Sequence, residues 1–253
     1  MIQLEGVGKV YASHANDERP IVAVENVSLD VPAGELLCLI GPSGSGKTTL
    51  LKMINRLVEP DRGTVRVGDA DVHTVDPIKL RRGIGYVIQS GGLLPHRTVA
   101  ENVGLLGRLE GWSRDSVRDR VYELLEMVGM PPSDYAERPP RDLSGGEQQR
   151  VGIARALFLD PPIILMDEPF GALDPVTRSQ IRDEFLHLKQ NMRKTIVLVT
   201  HDLGEAFHLG DRVALLHRGR LLQVGTENDL RQRPTDAFVE RFVSGGAEAP
   251  VHG

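Results

Sequence analysis

Residues 36–57 constrain the fold more than any other part of the chain. An apolar run, a glycine-rich octet and a helix-forming stretch follow one another there without a break. Leu36-Leu37-Cys38-Leu39-Ile40 carries no polar side chain, as a strand buried on both faces requires. Gly41-Pro42-Ser43-Gly44-Ser45-Gly46-Lys47-Thr48 then satisfies G-x-x-x-x-G-K-[ST]. A helix is predicted from about Lys47 to Leu57. Glycines let backbone N–H groups turn inward around phosphate oxygens, and a helix N-terminus favours an anion. Lys47 is then placed to reach the β- and γ-phosphates of a nucleoside triphosphate, and Thr48 to ligate Mg²⁺. The alternative is a Gly/Ser-rich turn with a solvent-facing lysine, which leaves the strand–loop–helix context unexplained.

The rest of the chain supplies the partners such a strand needs. Ile2, Leu4, Val7 and Val10, then Val22, Val24, Val27, Leu29 and Val31, alternate like β-structure around an exposed turn at residues 14–20. Thr64–Val67 and Asp71-Val72 suggest a small hairpin at Gly68-Asp69. From about Thr98 to Met130 the pattern is helical, with Val117, Val121, Leu124, Leu125 and Val128 on one face. A helix from about Gly146 to Leu159 follows, then buried strands at Ile163–Met166 and Thr195–Val199 around a helix from about Val176 to Gln190. Val213–Leu216 and Leu221–Val224 flank Arg218-Gly219 as a hairpin. Strands alternating with helices imply an α/β fold with a parallel sheet. Residues 245–253 read as a disordered tail.

Composition excludes several classes. With 30 Lys and Arg against 35 Asp and Glu the net charge is −5, and no long basic run occurs, so binding driven by nucleic-acid phosphates is not expected. Cys38 is the single cysteine, which rules out an intrachain disulfide; it reads as a buried structural thiol. No segment approaches the ~20 apolar residues of a membrane span. Met1-Ile2-Gln3-Leu4-Glu5 lacks the features of a signal peptide. Work at a membrane would require other chains to supply the span.

Two further segments carry chemistry. Ile163–Met166 leads into Asp167-Glu168, adjacent acids at the C-terminal end of a buried strand. Asp167 is placed to hold Mg²⁺ and Glu168 to orient and polarise an attacking water; an ordinary charged strand end is the alternative. Leu143-Ser144-Gly145-Gly146-Glu147-Gln148-Gln149-Arg150 opens a helix. Ser144 and Glu147 form S-x-x-E, a capping box. A cap does not account for Gly145-Gly146, whose amides at a helix start could bind a second anion.

This last segment resembles the signature sequence of ABC-type ATPases. Other motifs are similar to that family in order along nearly the whole chain, from about Ile2 to Ser244. The resemblance implies a P-loop NTPase core with a parallel sheet, an antiparallel β subdomain and a helical signature subdomain at about residues 93–158, all within one domain, 1–244. It implies that Tyr11 stacks on adenine and that Gly41, Pro42, Ser43, Gly44, Ser45, Gly46, Lys47, Thr48 and Thr49 bind ATP. Thr48, Gln89 and Asp167 would hold Mg²⁺, while Glu168, Gln89 and His201 would act in hydrolysis. Gly171-Ala172-Leu173-Asp174 would touch a second ATPase subunit, whose ATP would lie against Ser144, Gly145 and Gly146. Tyr11 as a half-buried strand residue, Gln89 as a strand-end polar group and His201 as a helix cap are the plain alternatives.

Leu51–Pro60, Leu80–Gln89, Leu94–Val99 and Met166–Arg178 are similar to importers of glycine betaine, choline and related osmoprotectants. That resemblance implies a homodimer or paired ATPase subunits on the cytoplasmic side of the membrane. The partners would be integral membrane permease subunits and, indirectly, a substrate-binding protein; no nucleic acid is expected. Import of amino acids or another polar solute, or a soluble ABC ATPase outside transport, are the other classes. Ser90-Gly91-Gly92 is smaller than the usual family stretch, which puts the expected docking surface for the permease in question. Many relatives continue into a pair of CBS domains; the chain stops at Gly253, so regulation of that kind is not expected.

Overall fold

Leu36 to Ile40 are buried at every position in the computed structural model, which describes residues 1–12, 20–89 and 92–245 and, of Gln190 and Asn191, the backbone alone. Most of the turn expected at residues 14–20, the Ser90-Gly91 part of the expected docking surface and nearly all of the expected tail lie outside the described residues.

In chain order the elements begin with β1 (Ile2–Tyr11), β2 (Ile21–Val31), β3 (Leu36–Ile40), α1 (Lys47–Ile54), β4 (Arg62–Val67) and β5 (Ala70–Asp71). Next come α2 (Pro77–Arg82), β6 (Ile84–Val87), α3 (Val99–Val103), α4 (Leu105–Leu109), α5 (Arg114–Met127) and α6 (Pro132–Tyr135). They are followed by α7 (Gly145–Ala156), β7 (Ile163–Asp167), α8 (Pro175–Met192) and β8 (Thr195–Val199). The described chain closes with α9 (Leu203–Leu209), β9 (Arg212–His217), β10 (Arg220–Gly225), α10 (Glu227–Gln232) and α11 (Ala237–Val243).

These elements form two compact units, one from Met1–Asp71 with Val199–Gly253 and one from Val72–Leu198. In the first, β2-β1-β4-β5 is an antiparallel sheet in which Ile2 lies opposite both Val31 and Val67, and Leu4 opposite both Leu29 and Val65. Alternation holds that register until Gly6, whose φ of 58° starts a bulge. Beyond it Val7 is buried, but Val10 and Val22, expected inward, face each other across the strands exposed. In the same unit β3 pairs parallel with β9, Cys38 opposite Val213, and β9 turns back antiparallel into β10. The turn is the expected Arg218-Gly219, both residues left-handed at φ 49° and 78°, as a tight hairpin between twisted strands requires. Cys38 is fully buried.

In the second unit β6 pairs parallel with β7, Ile84 opposite Ile163 through Val87 opposite Met166, and β8 is β7's other neighbour. Val117, Val121, Leu124 and Leu125 of α5 are buried, as are Val151 and Ala154 of α7. Gly85 on β6 allows α7 to close: a Cβ there would stand 2.6 Å from the Ala156 carbonyl oxygen.

Several elements differ from the sequence reading, and α7 ends at Ala156 rather than near Leu159. α1 ends at Ile54 rather than near Leu57, because Arg56 turns left-handed (φ 53°) and the Leu57 and Val58 amides donate back to the Lys52 carbonyl. The helical stretch 98–130 is three helices, broken at Gly104 and at Gly111, whose φ is 74°. α2, α10 and α11 escaped the periodicity because six or seven residues hold fewer than two turns; each starts on a side-chain cap, Asp76, Thr226 or Asp236. Among the described residues no helix is long and apolar enough to cross a membrane.

Gly85→Ala should cost about 1–3 kcal/mol of stability, because backbone rather than a flexible side chain occupies the space. Urea unfolding monitored by circular dichroism measures it; an unchanged midpoint would show that α7 and β6 part freely.

Candidate nucleotide-binding site

The first unit holds the glycine-rich loop. Gly41, Gly44 and Gly46 have φ of 143°, 74° and 101°, conformations that side-chain-bearing residues avoid. A Cβ on Gly41 would collide with the Leu216 carbonyl, and one on Gly46 with the Ala23 carbonyl. Gly46 is also the N-cap of α1, and no side chain caps that helix, whose N-terminus favours an anion. Lys47 is buried and folds back over the loop, donating from Nζ to the carbonyls of Gly41 (2.8 Å) and Pro42 (3.0 Å). Ser45 Oγ is buried without a hydrogen-bond partner among the described residues. A buried ammonium and an unsatisfied hydroxyl around a glycine turn at a helix N-terminus fit a polyphosphate. Pro42 and Thr48 are half-buried, Thr49 likewise, and Ser43 and Gly44 are exposed.

Two other expected residues belong to this unit. The Thr200 amide donates to the Leu39 carbonyl (3.1 Å), two residues before Gly41, which sets exposed His201 beside the start of the loop. His201 is not the helix cap: Asp202 caps α9, accepting from the Glu205 amide. Tyr11 ends β1 opposite Ile21, two residues before the Ala23 that backs Gly46. Its ring is partly exposed and lies 5.7 Å from Lys9 Nζ, a cation–π contact.

The second unit holds the acidic pair. Asp167 is buried at the end of β7. Glu168 follows with φ 47°, a left-handed backbone costly for a residue with a Cβ. Its carboxylate accepts from Gln89 Nε2 (3.2 Å), so the structure joins these two sequence candidates directly. Tyr86, on β6 three residues before Gln89, was not singled out by sequence; burial and then the Asp167 carboxylate push its phenol far up, keeping it protonated. Gln89 and Asp167 offer oxygen donors in this unit and Thr48 offers one in the first, a donor type that suits Mg²⁺, a hard cation. Among the described residues no cluster of three or more His, Cys, Asp or Glu could hold a metal.

Ser144 caps α7 in the same unit, with its capping box complete: the Ser144 amide donates to Glu147 Oε2 (2.7 Å) and the Glu147 amide to Ser144 Oγ (3.3 Å). The Tyr135 hydroxyl, which sequence gave no reason to pair here, donates to Glu147 Oε1 (2.8 Å). Gly146 has a packing reason: a Cβ there would stand 2.8 Å from Ile181 Cδ1 and 2.9 Å from Thr177 Cγ2 of α8. Gly145 is exposed and meets only Leu173 Cδ2, at 3.4 Å, so packing alone does not demand a glycine at 145. Asp174 caps α8 through the Val176 and Thr177 amides.

The ABC transporter family profile matches residues 24–171, which spans the loop, the capped α7 and the acidic pair. The chain belongs to the ABC transporter family. Among curated proteins of this family, the choline transport ATP-binding protein OpuBA of Bacillus subtilis (strain 168) is 49% identical over 96% of the chain and 62% of its own length. The osmoprotectant import ATP-binding protein OsmV of Salmonella typhimurium is 44% identical over 96% of the chain and 63% of its own length. The chain thus spans less than two thirds of the length of these relatives. Among solved ABC cassettes, the dimeric post-hydrolysis state of MJ0796 bound to ADP and Pi is 37% identical, with a TM-score of 0.79 over 89% of this chain and 98% of that one. The α/β phosphate-loop fold expected from sequence is therefore the fold of the chain.

Burial pushes the Glu147 carboxyl up, but its hydrogen bonds from Ser144 and Tyr135 outweigh burial and hold it below its ordinary 4.5. A depressed carboxylate adds stability above its unfolded value and loses it as pH falls through the folded one. Glu147→Gln should therefore be about 1 kcal/mol less stable than wild type at pH 7, with the gap narrowing as pH falls below the ordinary carboxyl range. Thermal melts across that range check this; a gap independent of pH would show that the carboxylate's charge plays no part.

Proposed function

We propose that the chain binds and hydrolyses ATP with Mg²⁺ and drives import of an osmoprotectant, a quaternary amine such as glycine betaine or choline, through integral membrane permease subunits. The observation that carries the nucleotide reading is the loop Gly41–Thr48: three left-handed glycines, an α1 without a side-chain cap and a buried Lys47 folded back onto the carbonyls of Gly41 and Pro42. Lys47 exchanges those carbonyls for phosphate oxygens, and the amides of residues 44–48 take the rest of the negative charge. Tyr11 offers its exposed ring to adenine. Mg²⁺, held by Thr48, Gln89 and Asp167, would supply charge neutralisation at the phosphates.

Glu168 polarises the attacking water, and its hydrogen bond from Gln89 fixes the carboxylate that does so. The left-handed backbone at Glu168 supports this role, since such strain persists where a side chain must be aimed. His201 contacts the terminal phosphate from the end of β8. Ser144, Gly145 and Gly146 serve the ATP of a second ATPase subunit in a head-to-tail dimer; the dimeric MJ0796 cassette and the exposed glycine at 145 support this. ATP then closes the dimer because it has greater affinity for the closed state. A peripheral place on the cytoplasmic side of the membrane follows from the permease partners. The solute reading rests on the relatives named for choline and osmoprotectant transport.

Glu168→Gln keeps the hydrogen-bonding shape and removes the base. ATP affinity should stay within about twofold while steady-state turnover falls about 10²-fold or more. A titration with labelled ATP and a phosphate-release assay read the two quantities separately; near-normal turnover would remove Glu168 from the chemistry.

A further inference from the structure

The wall behind the phosphate loop is built by a turn that neither the loop nor the acidic pair explains. In the first unit the Gly219 amide donates to the Ser45 carbonyl (3.1 Å), and the Gly219 carbonyl accepts from the Glu25 amide (2.7 Å). Three residues earlier the Leu216 carbonyl abuts Gly41. Arg220 adds a two-pronged ion pair to Glu25, with Nε and Nη2 at 2.9 and 3.0 Å from its two oxygens. The β9–β10 turn is thus fastened to both ends of the loop and to β2.

The position of that turn depends in turn on the end of the chain. His217, between Leu216 and Arg218, stacks on Phe238 of α11, with ring centroids 3.9 Å apart and planes 27° from parallel. Phe238 stacks on Phe242 one helical turn later, at 5.9 Å. His217 Nδ1 is buried with no hydrogen-bond partner among the described residues, so the stack rather than a hydrogen bond at that nitrogen fixes the ring. Burial and then the Arg218 guanidinium hold the imidazole below its ordinary value, against the opposing pull of the Asp236 carboxylate, and this lowering favours the neutral aromatic ring.

We infer that Phe238 is a positioning residue for the nucleotide: α11 holds the β9–β10 turn through the Phe238–His217 stack, and the turn holds Ser45 and Gly41 in the phosphate-binding conformation. This rests on the nucleotide reading of the loop, but its structural half can be tested without nucleotide. Phe238→Ala is compared with Phe238→Tyr, which keeps an aromatic ring, and with Val243→Ala, which trims buried packing in the same helix while leaving the stack. In nucleotide-free protein, amide exchange at Gly219 should speed up about tenfold in Phe238→Ala and stay near wild type in the other two. Affinity for Mg-ATP should fall about tenfold in Phe238→Ala alone. If Phe238→Ala behaves like Val243→Ala in both measurements, α11 merely packs and the inference is overturned. If wild type binds no ATP, the nucleotide reading fails, and the Gly219 exchange still decides whether α11 holds the turn.

Discussion

Everything in the first unit is arranged around the close approach of bare backbone to bare backbone at Gly41 and Gly46. The carbonyls of Leu216 and Ala23 stand where side chains at those positions would begin. Only glycine permits that contact. The parallel pairing of β3 with β9 brings Leu216 up beside Gly41, and Ala23 of β2 stands against Gly46. The buried strand, the uncapped α1 and the folded-back Lys47 are consequences of a loop held this tightly from outside.

The second unit follows the same logic with different means. β7 is buried from Ile163 to Asp167, and the strain appears at the next residue, Glu168. A left-handed glutamate that accepts a hydrogen bond from Gln89 has its direction fixed by backbone and by a neighbour together. α7 uses a capping box to satisfy its first amides and a glycine at 146 to lie close against α8, so structure and chemistry share the segment that sequence reading divided between them. Gly145 alone lacks a packing demand that excludes a side chain, and the proposed contact with a second ATP lies there.

The candidate site was legible where its residues sit at a motif whose spacing has a mechanical meaning: Gly41 to Thr48 after an apolar strand, Asp167-Glu168 at the end of another, Ser144 to Glu147 at a helix start. β3 and β8 were found to the residue, since a run apolar at every position has sharp ends. What escaped was set by geometry that sequence does not carry. Val10 and Val22 lost their burial where the β1–β2 register shifts three times between Leu4 and Val10, and α1 lost a turn to a left-handed arginine where a glycine would have signalled the end. Tyr86, Tyr135 and the Phe238–His217 stack depend on which elements pack together, and local periodicity is silent on that.

The central claim is that the amides of Gly41–Thr48 bind the phosphates of a nucleotide. Backbone amide chemical shifts of the whole chain, recorded by NMR as Mg-ATP is added, test it most directly. The account predicts the largest changes at Gly44, Ser45, Gly46, Lys47 and Thr48, with saturation at one ATP per chain. Saturating changes centred on other residues, or no change in the loop at millimolar ATP, would contradict it.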